Sequence, residues 1–99
     1  MRAVTSHTMI RDKENKWALG QFNVHNLELA LAAVRAAEEE NAPIILAVGP
    51  STFNYLGDIS PLISAIHKMI EEAKVPISLH LDHAKDLEMV RHALDLGFS

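Results

Sequence analysis

The chain has 99 residues, a net charge of −4, 48% hydrophobic and 22% charged residues, and no cysteine. That balance is globular; it excludes disulfides and thiolate zinc sites, and it offers no broad basic surface for nucleic acid or an anionic membrane. No apolar run approaches the ~20 residues of a membrane span, the start lacks the hydrophobic stretch of a signal peptide, and the length allows one domain at most, so a cytoplasmic location is expected.

In chain order, residues 6–16 read as a short polar helix that Thr5 or Ser6 caps. Ala18 to Asn23 reads as a first strand. Leu27, Ala30, Leu31, Val34 and Ala37 then share one helical face, and Glu38-Glu39-Glu40 forms a solvated end. Asn41-Ala42-Pro43 stops that helix. Ile44 to Val48 is a continuous apolar run of strand length, which suits a parallel strand buried on both faces. Gly49-Pro50-Ser51 breaks it, and a loop is expected through Asn54 and Gly57-Asp58.

Ser60 as N-cap with Pro61 behind it starts the next helix, whose buried stripe is Leu62, Ile66, Met69, Ile70 and Ala73. Pro76 ends the connection, and Ile77 to Asp82 is the third strand. Asp86 caps a last helix in which Val90, Ala93 and Leu94 point inward, with Gly97 as its stop. Strand starts near 18, 44 and 77 lie 26 and 33 residues apart, one βα unit each. A doubly wound sheet and a (β/α)₈ barrel both begin this way. The first strand runs into Asn23-Val24-His25-Asn26 rather than a glycine-rich phosphate turn, which favours the barrel.

Polar residues on the strands locate a site. Ser78, His80 and Asp82 share one face of the third strand, and Leu19, Gln21 and Asn23 share one face of the first. Ligand sites of α/β folds lie at the carboxyl ends of strands, so Asn23 and Asp82 mark the place. Asn23 is also readable as a turn-former and Asp82 as a cap, a role Asp86 fills better. His83 follows Asp82 directly and is a candidate metal ligand. His80 is read as a buried, hydrogen-bonded strand residue, His25 as a loop residue, and His7, His67 and His92 as surface residues of helices. Lys74 and Lys85 are poorly placed for a Schiff base, and Ser51 and Ser78 lack a base for nucleophilic catalysis.

The segments Ala18-Leu19-Gly20-Gln21-Phe22-Asn23-Val24-His25-Asn26-Leu27-Glu28, Ala42-Pro43-Ile44-Ile45-Leu46, Val75-Pro76-Ile77-Ser78-Leu79-His80-Leu81-Asp82-His83 and Ala93-Leu94-Asp95-Leu96-Gly97-Phe98-Ser99 together resemble class II, metal-dependent ketose-bisphosphate aldolases. The resemblance runs the length of the chain, and His-Leu-Asp-His is its specific part. It implies a (β/α)₈ TIM barrel with a leading helix, of which residues 1–99 are the amino-terminal part of a single domain. It implies Asp82 as the catalytic acid/base at the C4 hydroxyl, His83 as one of three zinc histidines, and Asn23 as a substrate-binding residue. The cofactor implied is Zn²⁺, the partner a phosphorylated ketose, and the assembly a homo-oligomer, dimer or tetramer.

Where many members of that family carry Ser or Thr after the second strand, this chain has Gly49, with Ser51 and Thr52 close behind. The family's other zinc histidines and its phosphate loops would follow Ser99. The expected reaction is reversible cleavage of a ketose 1,6-bisphosphate to dihydroxyacetone phosphate and glyceraldehyde 3-phosphate. A tagatose-bisphosphate or related phosphorylated-ketose or keto-acid aldolase is the alternative. A catalytically incompetent, self-associating fragment is the non-enzymatic one.

Overall fold

The computed structural model describes residues 4–12 and 18–99. The elements are α1 (Ser6–Asp12), β1 (Gly20–Asn23), α2 (Leu27–Glu40), β2 (Ile44–Val48), α3 (Pro50–Leu56), α4 (Ser60–Glu72), β3 (Ile77–Leu81) and α5 (Leu87–Asp95). The end of the expected first helix, 13–16, lies outside the described residues. The strands form one parallel sheet in the order β1-β2-β3, with no reversal of direction or order. The α/β expectation is met by an open three-stranded sheet.

Register sorts the side chains. Gly20, Ile44 and Ile77 are neighbours, then Gln21, Ile45 and Ser78, then Phe22, Leu46 and Leu79, then Asn23, Ala47 and His80. Because neighbours in a ladder share a face, one face carries Ile44, Leu46, Val48, Ile77 and Leu79. These join Ala30, Val34 and Ala37 of α2 and Ile63, Ile66 and Ile70 of α4 in a single core. Each fully buried Leu or Ile there contributes about 1.5–3 kcal/mol of hydrophobic free energy. α2 and α4 also touch each other, so the helices after β1 and β2 lie on the same side of the sheet.

The other face carries Gln21, Asn23, Ser78 and His80, as the alternation predicts. α1 closes its base. Val4 N–H donates to the Ile77 carbonyl (3.1 Å), and the Ser6 hydroxyl lies 2.9 Å from that of Ser78. Ser78 is fully buried. Its hydroxyl also meets Ser99 Oγ at 3.1 Å, and Ser99 Oγ in turn donates to the Leu79 carbonyl. With the Ser99 proton committed, the chain of donors runs Ser6 to Ser78 to Ser99.

Helix ends follow local chemistry. Thr5 caps α1 through Thr8 N–H, Asn26 caps α2 through Leu29 N–H, and Asp86 caps α5 through Met89 N–H. Asn41 ends α2 in the left-handed region (φ 49°). Gly97 ends α5 at φ 90°, which lets Phe98 N–H reach the Ala93 carbonyl at 3.0 Å.

Several expectations are corrected. β1 starts at Gly20 rather than Ala18. The loop expected after Gly49 contains α3: Pro50 opens the helix instead of only breaking the strand, since its missing N–H is not needed in a first turn. α3 is held down by Phe53, which packs on Phe98 and edge-on against His92. Ser60 lies inside α4, and Asp58 takes the capping part by accepting from the Ser60 N–H and hydroxyl. Ile63, not in the expected stripe, is fully buried, while Leu62 packs on the core only partly buried. Leu94 is 60% exposed because α5 faces inward through Ala93, one residue earlier and about 100° around the helix. Leu27 is likewise exposed at the start of α2. His67 is not a free surface residue: its Nε2 lies 2.8 Å from the Leu96 carbonyl.

Candidate active site at the strand tips

The carboxyl ends of the three strands surround a cavity of about 350 Å³. Asn23 and His25 reach it from β1, Gly49, Pro50 and Ser51 from β2, and Asp82, His83 and Lys85 from β3. Asn23, Asp82 and His83, the three residues marked by the sequence, are thus brought to one place.

The β3 tip explains how two successive residues serve one cavity. In an extended strand they would face opposite sides. Asp82 is still in the ladder, its N–H donating to the Val48 carbonyl at 3.0 Å. His83 leaves it with φ 57°, a left-handed backbone uncommon outside glycine and costing about 1–2 kcal/mol. The turn swings the imidazole outward, with its side chain 85% exposed, while the Asp82 carboxylate stays mostly sheltered at 28%. His83 Nε2 lies 3.7 Å from Asp82 Oδ1, an electrostatic contact longer than a hydrogen bond.

His80 lies one step down the same face. It is half-buried and its backbone belongs to the β3 ladder, but among the described residues its imidazole makes no hydrogen bond, contrary to the expectation of a hydrogen-bonded side chain. His25, read mainly as a loop residue with a contact role left open, lines the cavity, and its Nδ1 lies 2.8 Å from the hydroxyl of buried Thr52 on α3. Among the described residues that line the cavity, Lys85 is the one permanent cation. Their positions just past strand ends, two residues after Asn23 and four after Leu81, were the available signal. Gly49 needs no glycine for its backbone, with φ −114°. A Cβ there would meet only the Asp82 carbonyl, at an ordinary 3.5 Å, so the missing side chain leaves open space on the β2 wall.

A family profile described as fructose-bisphosphate aldolase, class II, matches residues 4–99. The chain belongs to the class II fructose-bisphosphate aldolase family. Within it, the chain is 37% identical to the 6-phospho-5-dehydro-2-deoxy-D-gluconate aldolase of Halalkalibacterium halodurans, over all of this chain and 35% of that protein. It is 34% identical to the fructose-bisphosphate aldolase of Staphylococcus aureus strain N315, over all of this chain and 36% of that protein. Its fold superposes on the YdjI aldolase from Escherichia coli K12 with a TM-score of 0.86 at 26% identity, covering 99% of this chain and 38% of that one. The chain spans about a third of the length of the curated relatives it matches. Among the described residues no helix is long and apolar enough to cross a membrane.

Class II aldolases as a family are metal enzymes, and the donor chemistry here can be tested against zinc. Zinc takes imidazole and carboxylate donors, with three protein ligands in a catalytic site. Among the described residues no three His, Cys, Asp or Glu side chains converge. His83, exposed at the cavity rim with a carboxylate beside it, fits as one ligand of a set that these residues do not complete.

Proposed function

We propose that the intact protein is a zinc-dependent class II aldolase that reversibly cleaves a ketose 1,6-bisphosphate to dihydroxyacetone phosphate and glyceraldehyde 3-phosphate. Residues 1–99 are the amino-terminal part of its single (β/α)₈ barrel, and the protein acts in the cytoplasm as a homo-oligomer. The observation that carries this reading is the opening of Asp82 and His83 onto one cavity at the strand tips, in a chain of this family.

Each residue has a task that its chemistry suits. Asp82 accepts the proton of the C4 hydroxyl as the C3–C4 bond breaks, and returns it in the condensation direction. His83 is one of the ligands that hold Zn²⁺, which when bound acts as a Lewis acid on the ketose oxygens and stabilises developing negative charge. Asn23 hydrogen-bonds substrate oxygens at the β1 tip. Lys85 gives the wall beside Asp82 a positive charge suited to an anionic substrate.

A second substrate reading is favoured by Gly49 and Lys85. Open space and a cation near the acid/base also suit a phosphorylated keto acid, such as the one named for the H. halodurans relative. The test is a chelated and zinc-restored preparation of the intact protein, assayed on fructose 1,6-bisphosphate, tagatose 1,6-bisphosphate and 6-phospho-5-dehydro-2-deoxy-D-gluconate. Activity lost on chelation and regained with zinc is expected, and the largest kcat/KM names the substrate. Activity that survives thorough chelation overturns the metal-dependent reading.

A further inference from the structure

The His25–Thr52 pair is the polar contact of the cavity wall that the proposed reaction does not use. Thr52 is 2% exposed on α3, and its hydroxyl has one hydrogen-bond partner among the described residues, His25 Nδ1 at 2.8 Å. His25 itself is exposed two residues past β1 and, with Ser51, lines both the main cavity and a second hollow that also takes in Asn26, Thr52 and Tyr55.

A buried hydroxyl proton without an acceptor is costly, whereas an idle oxygen lone pair costs less. The Thr52 O–H therefore donates to the Nδ1 lone pair. That fixes the neutral imidazole as the tautomer with its proton on Nε2, the ring nitrogen left for the cavity.

We infer that Thr52 is a positioning residue that orients His25 through Nδ1, with Nε2–H directed to an acceptor oxygen of the substrate. The contact spans two separate βα units, so the orientation of a β1-tip side chain is set by the helix after β2. The inference rests on the aldolase reading for the identity of the ligand, but not for the hydrogen bond itself.

The test uses the intact, zinc-loaded protein with ¹⁵N-labelled histidine. Long-range ¹H–¹⁵N spectra are expected to show His25 as the Nε2–H tautomer. In Thr52→Val the ring is expected to average over both tautomers. KM for the ketose bisphosphate rises about tenfold with kcat within about threefold, as loss of one binding contact gives. Thr52→Ser is expected to restore tautomer and KM together. An Nδ1–H tautomer in the wild type, an unchanged KM in Thr52→Val, or a Thr52→Ser variant that behaves as Thr52→Val overturns the inference.

If the wild-type protein cleaves none of the three sugars, the functional reading falls, and a titration with dihydroxyacetone phosphate judges the pair independently. A shift of the His25 Nε2 resonance that Thr52→Val abolishes sustains the donor role, and no shift refutes it.

Discussion

Gly97 lies against the ring of His67. A Cβ built on Gly97 would stand 2.6 Å from His67 Nε2, the same nitrogen that bonds the Leu96 carbonyl at 2.8 Å. The glycine is therefore required twice, by its φ of 90° and by the imidazole against it. Gly97→Ala is expected to destabilise the intact protein by about 2–3 kcal/mol, from left-handed strain plus a displaced hydrogen bond. Urea denaturation measures it. Adding His67→Ala should remove the clash but leave the backbone strain, so the double variant should lose less than the sum of the two.

Asp82→Asn removes the proton acceptor while keeping the size of the side chain. The expected result is a fall in kcat of about 10²–10⁴-fold, the range for a positioned general base, with zinc content unchanged. Turnover within a few-fold of wild type would remove Asp82 from the mechanism.

At His83 the backbone and the ligand can be separated. His83→Gly and His83→Ala should both lose zinc, as read by metal analysis after dialysis. Only the alanine variant retains the left-handed strain, so it should be less stable than the glycine variant by about 1 kcal/mol. Equal zinc content in wild type and both variants would show that the imidazole holds no metal.

The β2 tip offers a test of space. Gly49→Ser places a hydroxyl at the cavity wall where a Cβ makes only ordinary contact, and it adds a capping side chain to α3. Its stability should stay within a few tenths of a kcal/mol of wild type. The ratio of kcat/KM between the bisphosphate and keto-acid substrates should change, which paired kinetic assays would reveal.

Asp58 makes a prediction in pH. The Ser60 hydroxyl, and then the Ser60 N–H, hold its carboxyl below the usual value; desolvation opposes them, and the smallest contribution is a pull from His92. The folded pKa lies below the unfolded one. This contribution is therefore complete above the unfolded value, near pH 4, and is lost as pH falls through the folded value. Asp58→Asn keeps an acceptor oxygen without the titration, so its Tm should fall less steeply with acid than that of wild type. Parallel Tm curves would show that the carboxylate has no part in the acid limb.

The legible parts of this fold were those where one physical signal acted alone. Ile44 to Val48, a short apolar run between turn residues, suited a strand buried on both sides, and Asp86 and Asn41 carry their capping chemistry in their side chains. The polar face of β3 was visible from alternation. α3 was missed because Gly49-Pro50 both ends a strand and starts a helix, and what decides between them is Phe53 meeting Phe98, 45 residues later. His67 was misread because its partner is a backbone carbonyl, which has no sequence signature. At the site, Asn23, Asp82 and His83 could be found from strand polarity and resemblance. The turn that aims His83 could not, since φ 57° at a non-glycine residue leaves no mark in the sequence. Nor could the Thr52 bond that fastens His25.

The serine chain beneath the sheet also bears on the order of synthesis. Ser6 docks on a residue made 72 positions later, and Val4 on its neighbour Ile77. A seven-residue helix has little stability by itself. α1 must therefore wait, unseated, until β3 has left the ribosome. In pulse-labelled nascent chains its amides should gain protection only when β3 does.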